Sequence, residues 1–200
     1  MKAKTKPLTA LVLLTGMGLA PTAEAALISR LGGLAVYDTA FNITWLANSN
    51  VNGRMTWADA NTWADGLTVG GFTDWRLPTA LNPDLTGPCS VYNCTGSEMG
   101  HLFYTEGGLT QGQNITSSAY LVQFFTNMQN SIYWSGTEYA PNPVSAWRFF
   151  ASDGFQSFGS KGDSRYAWAV RSGDVAEPGE MGLLGIGALA WAGTKQKRRG

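Results

Sequence analysis

The sequence predicts an α+β domain in which an antiparallel sheet is flanked by two short helices. Three features of its 200 residues lead there. Apolar residues recur at helical spacing in two stretches, within Trp57–Leu67 and Met99–Phe103. Short aromatic and β-branched runs open the domain and fill its end, each closed by Gly, Pro, Asn or Asp. Apolar residues make up 44% of the chain and charged ones only 14%, enough to furnish a core.

Leu34–Tyr37 and Phe41–Leu46 alternate apolar and polar residues about the break Asp38-Thr39-Ala40, the pattern of a β-hairpin. After an Asn-rich loop the period changes. Trp57, Ala60, Ala64 and Leu67 share one face of a helix, with Thr56 placed to cap it and Gly66 to help end it. Gly70–Thr79, read Gly-Gly-Phe-Thr-Asp-Trp-Arg-Leu-Pro-Thr, is a tight glycine loop followed by a short half-buried strand that Pro78 ends. Asp74 and Arg76 stand two apart on one face of that strand, placed to pair with each other or with a neighbour. Ser97–Tyr104 is a second short helix capped by Ser97, with Met99, Leu102 and Phe103 as its apolar side. Tyr120–Phe125 fits strand and helix equally. Beyond it, Ile132–Thr137, Ala146–Ala151, Phe155–Phe158 and Tyr166–Arg171 read as strands rich in aromatics, most of them core and cross-strand pairs.

The two ends carry addresses. Lys2, Lys4 and Lys6, the apolar run Leu8–Leu19 and Ala23-Glu24-Ala25 form a secretory signal peptide (residues 1–25), to be cut by signal peptidase after Ala25. A membrane anchor would need about 20 apolar residues, more than this run offers. Residues 175–200 contain Glu177-Pro178-Gly179, an apolar stretch over 181–193, and the basic Lys195, Lys197, Arg198 and Arg199. At about 1.5 Å per helical residue that stretch is short for a bilayer core of about 30 Å, which suits transient membrane insertion with the basic end held on the cytoplasmic side. This order of parts resembles the PEP-CTERM sorting signal of Gram-negative bacteria, with Glu177 and Pro178 as its motif and Ala176 where the first proline usually stands. The resemblance implies processing by an exosortase-type enzyme and delivery to the cell surface or extracellular matrix.

Between the addresses lies one domain, residues 26–174. Over 26–178 seven basic side chains face twelve acidic ones, a net charge of −5 that disfavours nucleic acid as a partner. Cys89 and Cys94 are flanked by turn residues, and in an exported chain they read as one disulfide closing a small loop. A zinc site is the rival reading, but only His101 is near in sequence to complete it, so no metal and no cofactor is expected.

A second resemblance covers nearly the whole domain. Thr56-Trp57-Ala58-Asp59-Ala60, Gly71–Thr79, Ser97-Glu98-Met99, Tyr133–Thr137, Ala146-Trp147 and Tyr166–Arg171 occur in the order seen in the Lcl C-terminal domain family. Ala169 departs from the pattern, since many relatives carry a cysteine there. The resemblance implies a C-type lectin-like mixed fold with its two ends joined in one sheet, two flanking helices and long loops on one side. It implies no known reaction.

Catalytic groups do not converge in the sequence. His101 follows Glu98 by three residues on the second helix, where the two share a face, but no nucleophile joins them. Asp153 and Asp163 sit in glycine turns and read as main-chain partners rather than a glycosidase pair. The domain is therefore expected to be non-catalytic and to bind extracellular polysaccharide or a surface protein, with Tyr139, Asn142, Phe155, Gln156, Lys161 and Arg165 as the candidate ligand-binding residues. Two alternatives stand beside that expectation: a structural, self-associating component of the extracellular matrix, and an uncharacterised hydrolase.

Overall fold

The computed structural model describes residues 26–175 of the chain. The expected signal peptide with its cleavage point at Ala25, the sorting motif at Glu177 and Pro178, and the apolar stretch 181–193 lie outside those residues. Among the described residues no helix is long and apolar enough to cross a membrane.

The α+β class holds, and the strands divide between two sheets. The first contains β1 (Leu27–Arg30), β2 (Ala35–Asp38), β3 (Ile43–Leu46) and β9 (Val170–Ser172), in that spatial order. Every pairing in it is antiparallel, including Trp45 with Val170, so the two ends of the domain meet in one sheet as the family resemblance implies. The second orders β4 (Arg54–Met55), β8 (Arg165–Tyr166), β5 (Ile132–Glu138), β6 (Ser145–Phe150) and β7 (Phe155–Ser160). Its β5 and β8 run parallel, at Tyr133 and Tyr166.

Tyr166–Arg171 reads as one strand in the sequence but serves both sheets. The bend falls at Ala167-Trp168-Ala169, all fully or nearly fully buried. Trp168 donates its Nε1–H to the Leu46 carbonyl at 2.7 Å and packs edge-on against Trp45 and Phe125. A tryptophan that fills the core and satisfies its own N–H there fixes the crossover point. Strand β1 has no counterpart in the sequence reading, because Leu27–Arg30 is too short and mixed to show alternation.

The first helix, α1 (Trp57–Asp65), forms as its spacing predicts. The Thr56 hydroxyl caps it by accepting from the Asp59 N–H, and Ala60 and Ala64 are buried. Trp57 then ties it to β5 by donating its indole N–H to the Ser135 carbonyl at 2.8 Å. The second helix is not uniform. Ser97 caps the short α2 (Glu98–Gly100), which runs directly into a π-helical turn at His101–Glu106. Met99, Leu102 and Phe103 are buried there as expected. Tyr120–Phe125 resolves as a short 3-10 turn over Leu121–Gln123.

The Trp-Arg-Leu-Pro segment links the two sheets. Arg76 exchanges two backbone hydrogen bonds of 2.8 Å with Val170 of β9, and Gly136 of β5 donates to the Pro78 carbonyl at 2.9 Å. Trp75 and Leu77 on either side of Arg76 are buried. Gly70 and Gly71 turn the chain into the segment with φ of 60° and 87°, which favours glycine at both positions.

Candidate functional site

Of the six residues singled out from sequence, Tyr139, Asn142 and Lys161 stand together at one end of the second sheet, where the Asn142 N–H donates to the Tyr139 carbonyl at 2.9 Å and Lys161 pairs with Glu138 beside Tyr139. Gln156 is buried at 2% exposure, and its amide donates to the Cys89 carbonyl at 2.7 Å. It holds the loop closed by the Cys89–Cys94 disulfide against β7, which its backbone also pins by two 2.9 Å bonds with Val91. Phe155 is half-buried between Phe150 and Tyr92. Lys161 pairs with Glu138 and lies 4.2 Å over the Trp57 ring, whereas Arg165 pairs with Asp163 at 2.9 Å. Asn142 sits in an exposed turn and accepts at its carbonyl from the Ser145 N–H. Tyr139 stacks flat on Phe158, centroids 3.7 Å apart, and Phe158 is 40% exposed. Tyr139 thus forms an aromatic platform with Phe158, which is not among the six, and no cleft described below includes it.

Three clefts adjoin Arg76 instead, while a fourth, of about 340 Å³, lies apart, lined by Leu34, Leu46 and Val69 among others. The large cleft at Arg76, of about 460 Å³, has apolar walls from Phe41, Ile43 and Leu81 and polar groups from Asn42, Thr79 and Asn82, with Arg76 and Glu98 among its lining. Two further clefts, of about 360 and 250 Å³, share Arg76 and Asn61. Arg76 is thus common to three cavities.

Hydrogen bonds set its position. The guanidinium grips Glu98 with two parallel bonds of 2.7 and 2.8 Å and donates to the Leu77 carbonyl at 3.1 Å. Glu98 also accepts from the Thr79 N–H at 2.7 Å. Burial acts to lower the Arg76 pKa, but the Glu98 carboxylate outweighs it and holds the value raised. Three of the five N–H donors are engaged, and 39% of the side chain's surface is exposed. Asp74 and Arg76 do not pair with each other: Asp74 binds Arg171 at 2.7 and 2.9 Å.

A second polar group lies next to the large cleft. His101 Nε2 is 3.5 Å from Asp38 Oδ2 and 3.3 Å from Glu106 Oε1, and all three residues are buried. Burial presses the His101 pKa down, yet hydrogen bonding and charge from Asp38 and Glu106 hold it up at about 9 against an ordinary 6.5. These three side chains are close enough to hold one metal ion together. Phe41, a wall of the cleft, stacks on the His101 ring with centroids 3.8 Å apart. Glu98 is not the partner of His101, because it is committed to Arg76. The sequence hid the cluster: Asp38 reads as a turn residue, and five positions along an α-helix turn His101 and Glu106 about 140° apart. The π-helical turn, whose bonds join residues five apart, brings them to one side.

A frame that joins the two ends of the domain in one sheet, closes one loop with a disulfide and opens clefts about a clamped arginine defines an α+β module that displays loops from a packed core. The chain belongs to the Lcl C-terminal domain family, whose model matches residues 34–171. No curated protein shows significant similarity to the chain.

Proposed function

We propose that this domain is a non-catalytic carbohydrate-binding module of an exported, exosortase-sorted surface or matrix protein, and that the cleft at Arg76 is its binding site. The observation that carries the reading is the lining of that cleft. Amide, hydroxyl and guanidinium groups alternate there with apolar walls, which is the mixture that recognises the hydroxyls and the ring faces of a sugar. The clamp by Glu98 pre-positions Arg76, so little side-chain order has to be gained on binding. The family's lectin-like resemblance supports the same reading by analogy of fold. Exosortase processing rests on Glu177-Pro178, the apolar 181–193 and the basic end.

The stacked Tyr139 and Phe158, with Val144 nearby in sequence at 68% exposure, favour a second reading in which an apolar face mediates self-association in the matrix. One experiment separates the two. The purified protein is titrated with a panel of extracellular polysaccharides, alongside the variants Asn82→Ala and Leu81→Ala in the cleft and Phe158→Ala on the aromatic face. Saturable binding weakened about tenfold by the cleft variants and untouched by Phe158→Ala is the expected result, a loss of about 1.4 kcal/mol. No glycan binding, with concentration-dependent association abolished by Phe158→Ala, would support the structural reading instead.

A further inference from the structure

The geometry points to a divalent metal site formed by Asp38 Oδ2, His101 Nε2 and Glu106 Oε1. These atoms come from the end of β2 and from the two ends of the π-helical turn, and they lie within 4.8 Å of one another. Their side chains are 0%, 7% and 3% exposed. The polar neighbours of the three atoms are one another: His101 Nε2 lies at ion-pair distance from both carboxylate oxygens, and none of the three reaches a hydrogen bond of good geometry, where buried polar atoms are almost always so bonded. Asp38 shows the division of labour: its Oδ1 accepts from the Ala40 and Phe41 N–H groups at 3.0 and 3.1 Å, leaving Oδ2 to the cluster.

The spacing and the charge agree. Metal bonds of about 2.1 Å from an imidazole nitrogen and a carboxylate oxygen, at a tetrahedral angle, place those atoms about 3.4 Å apart. The observed separations from His101 are 3.3 and 3.5 Å. Two carboxylates with a neutral imidazole carry −2, which a divalent ion balances, whereas protonation of His101 alone leaves a buried excess negative charge. One nitrogen with two oxygens suits zinc and neighbouring first-row ions; calcium prefers six to eight oxygen ligands. The ion would tie the Asp38–Phe41 turn to the turn that follows Glu98, from beneath a wall of the cleft. The site stands independently of what that cleft binds.

The test uses the purified protein stripped with a chelator at neutral pH and titrated with zinc and, separately, cobalt(II), with calcium titrated as the control. One equivalent is expected to bind, raising the thermal midpoint and giving the visible absorption of four-coordinate cobalt with nitrogen and oxygen ligands. Glu106→Gln and His101→Gln should weaken binding by at least about tenfold, since even loss of an outer partner costs that much. If either variant fails to fold, the stoichiometry and cobalt spectrum of the unaltered chain still decide. An unshifted midpoint with no bound metal in folded, stripped protein would overturn the site in favour of a metal-free Asp–imidazolium–Glu cluster. Binding unchanged in both folded variants, or calcium binding as tightly as zinc, would overturn it equally.

Discussion

Arg76 and Glu98 show how a single pair can be both scaffold and display. Glu98 is buried and accepts from three donors, two on Arg76 and the Thr79 N–H, while its partner stays partly in solvent. Arg76→Ala would strand that carboxylate with one donor. Removing one partner of a fully buried pair costs about 3–5 kcal/mol, and the exposure of the arginine side reduces the expected loss here to about 2 kcal/mol. Urea unfolding of the variant measures it. A cost below about 0.5 kcal/mol would show that water replaces the guanidinium freely and that the clamp is not rigid. Replacing both residues by apolar ones of similar volume should recover part of the stability while abolishing any ligand affinity that depends on Arg76.

At the scale of elements, the turn between β6 and β7 depends on one glycine. Gly154 has φ of 85°, and a Cβ there would collide with the Tyr104 hydroxyl, which donates to the Gly154 carbonyl at 2.8 Å. Gly154→Ala should therefore destabilise by about 2–3 kcal/mol through strain and overpacking together. The partner variant Tyr104→Phe removes the hydroxyl and the hydrogen bond but leaves the ring against Phe103, so it should cost only about 1 kcal/mol. In the double variant the two costs should fall only slightly short of their sum, because the contact with the hydroxyl is gone while those with the ring carbon Cζ of residue 104 and with Phe103 Cε1 remain; fully additive costs by thermal unfolding would show that the hydroxyl contact adds nothing to them.

For the whole molecule, ion pairs clasp the two ends to the frame. Arg30 of β1 binds Asp174 with bonds of 2.8 and 2.9 Å, and Arg171 of β9 binds Asp74 ahead of the Trp-Arg-Leu-Pro segment. The Arg171 partner lowers the Asp74 pKa, and the Arg30 partner lowers that of Asp174, in each case against an opposing effect of burial. A carboxyl whose folded pKa is depressed adds stability above its unfolded pKa and loses it as pH falls through the folded one. The thermal midpoint should thus hold steady at mildly acidic pH and drop as pH falls below the ordinary carboxyl value of 3.8. Asp174→Asn should lower the midpoint at neutral pH and flatten the acid limb. An acid limb unchanged in Asp174→Asn would assign the acid lability to other carboxyls.

The sequence by itself determined the α+β class, the capped helix at Trp57–Asp65, the disulfide of Cys89 with Cys94, and the family. Each of these rests on short-range physics: a period, a cap, a small loop closed by two thiols, a string of motifs. Tertiary structure decided the rest. The break of Tyr166–Arg171 between two sheets depends on a core that accepts Trp168, and local pattern carries no record of that. The burial of Gln156 follows from a loop folding back across β7. Asp38, His101 and Glu106 meet because a π-helical turn replaces the expected helix and a strand end packs against it. Contacts between residues far apart in the chain are set by how whole elements pack, and no window of neighbouring residues contains that information.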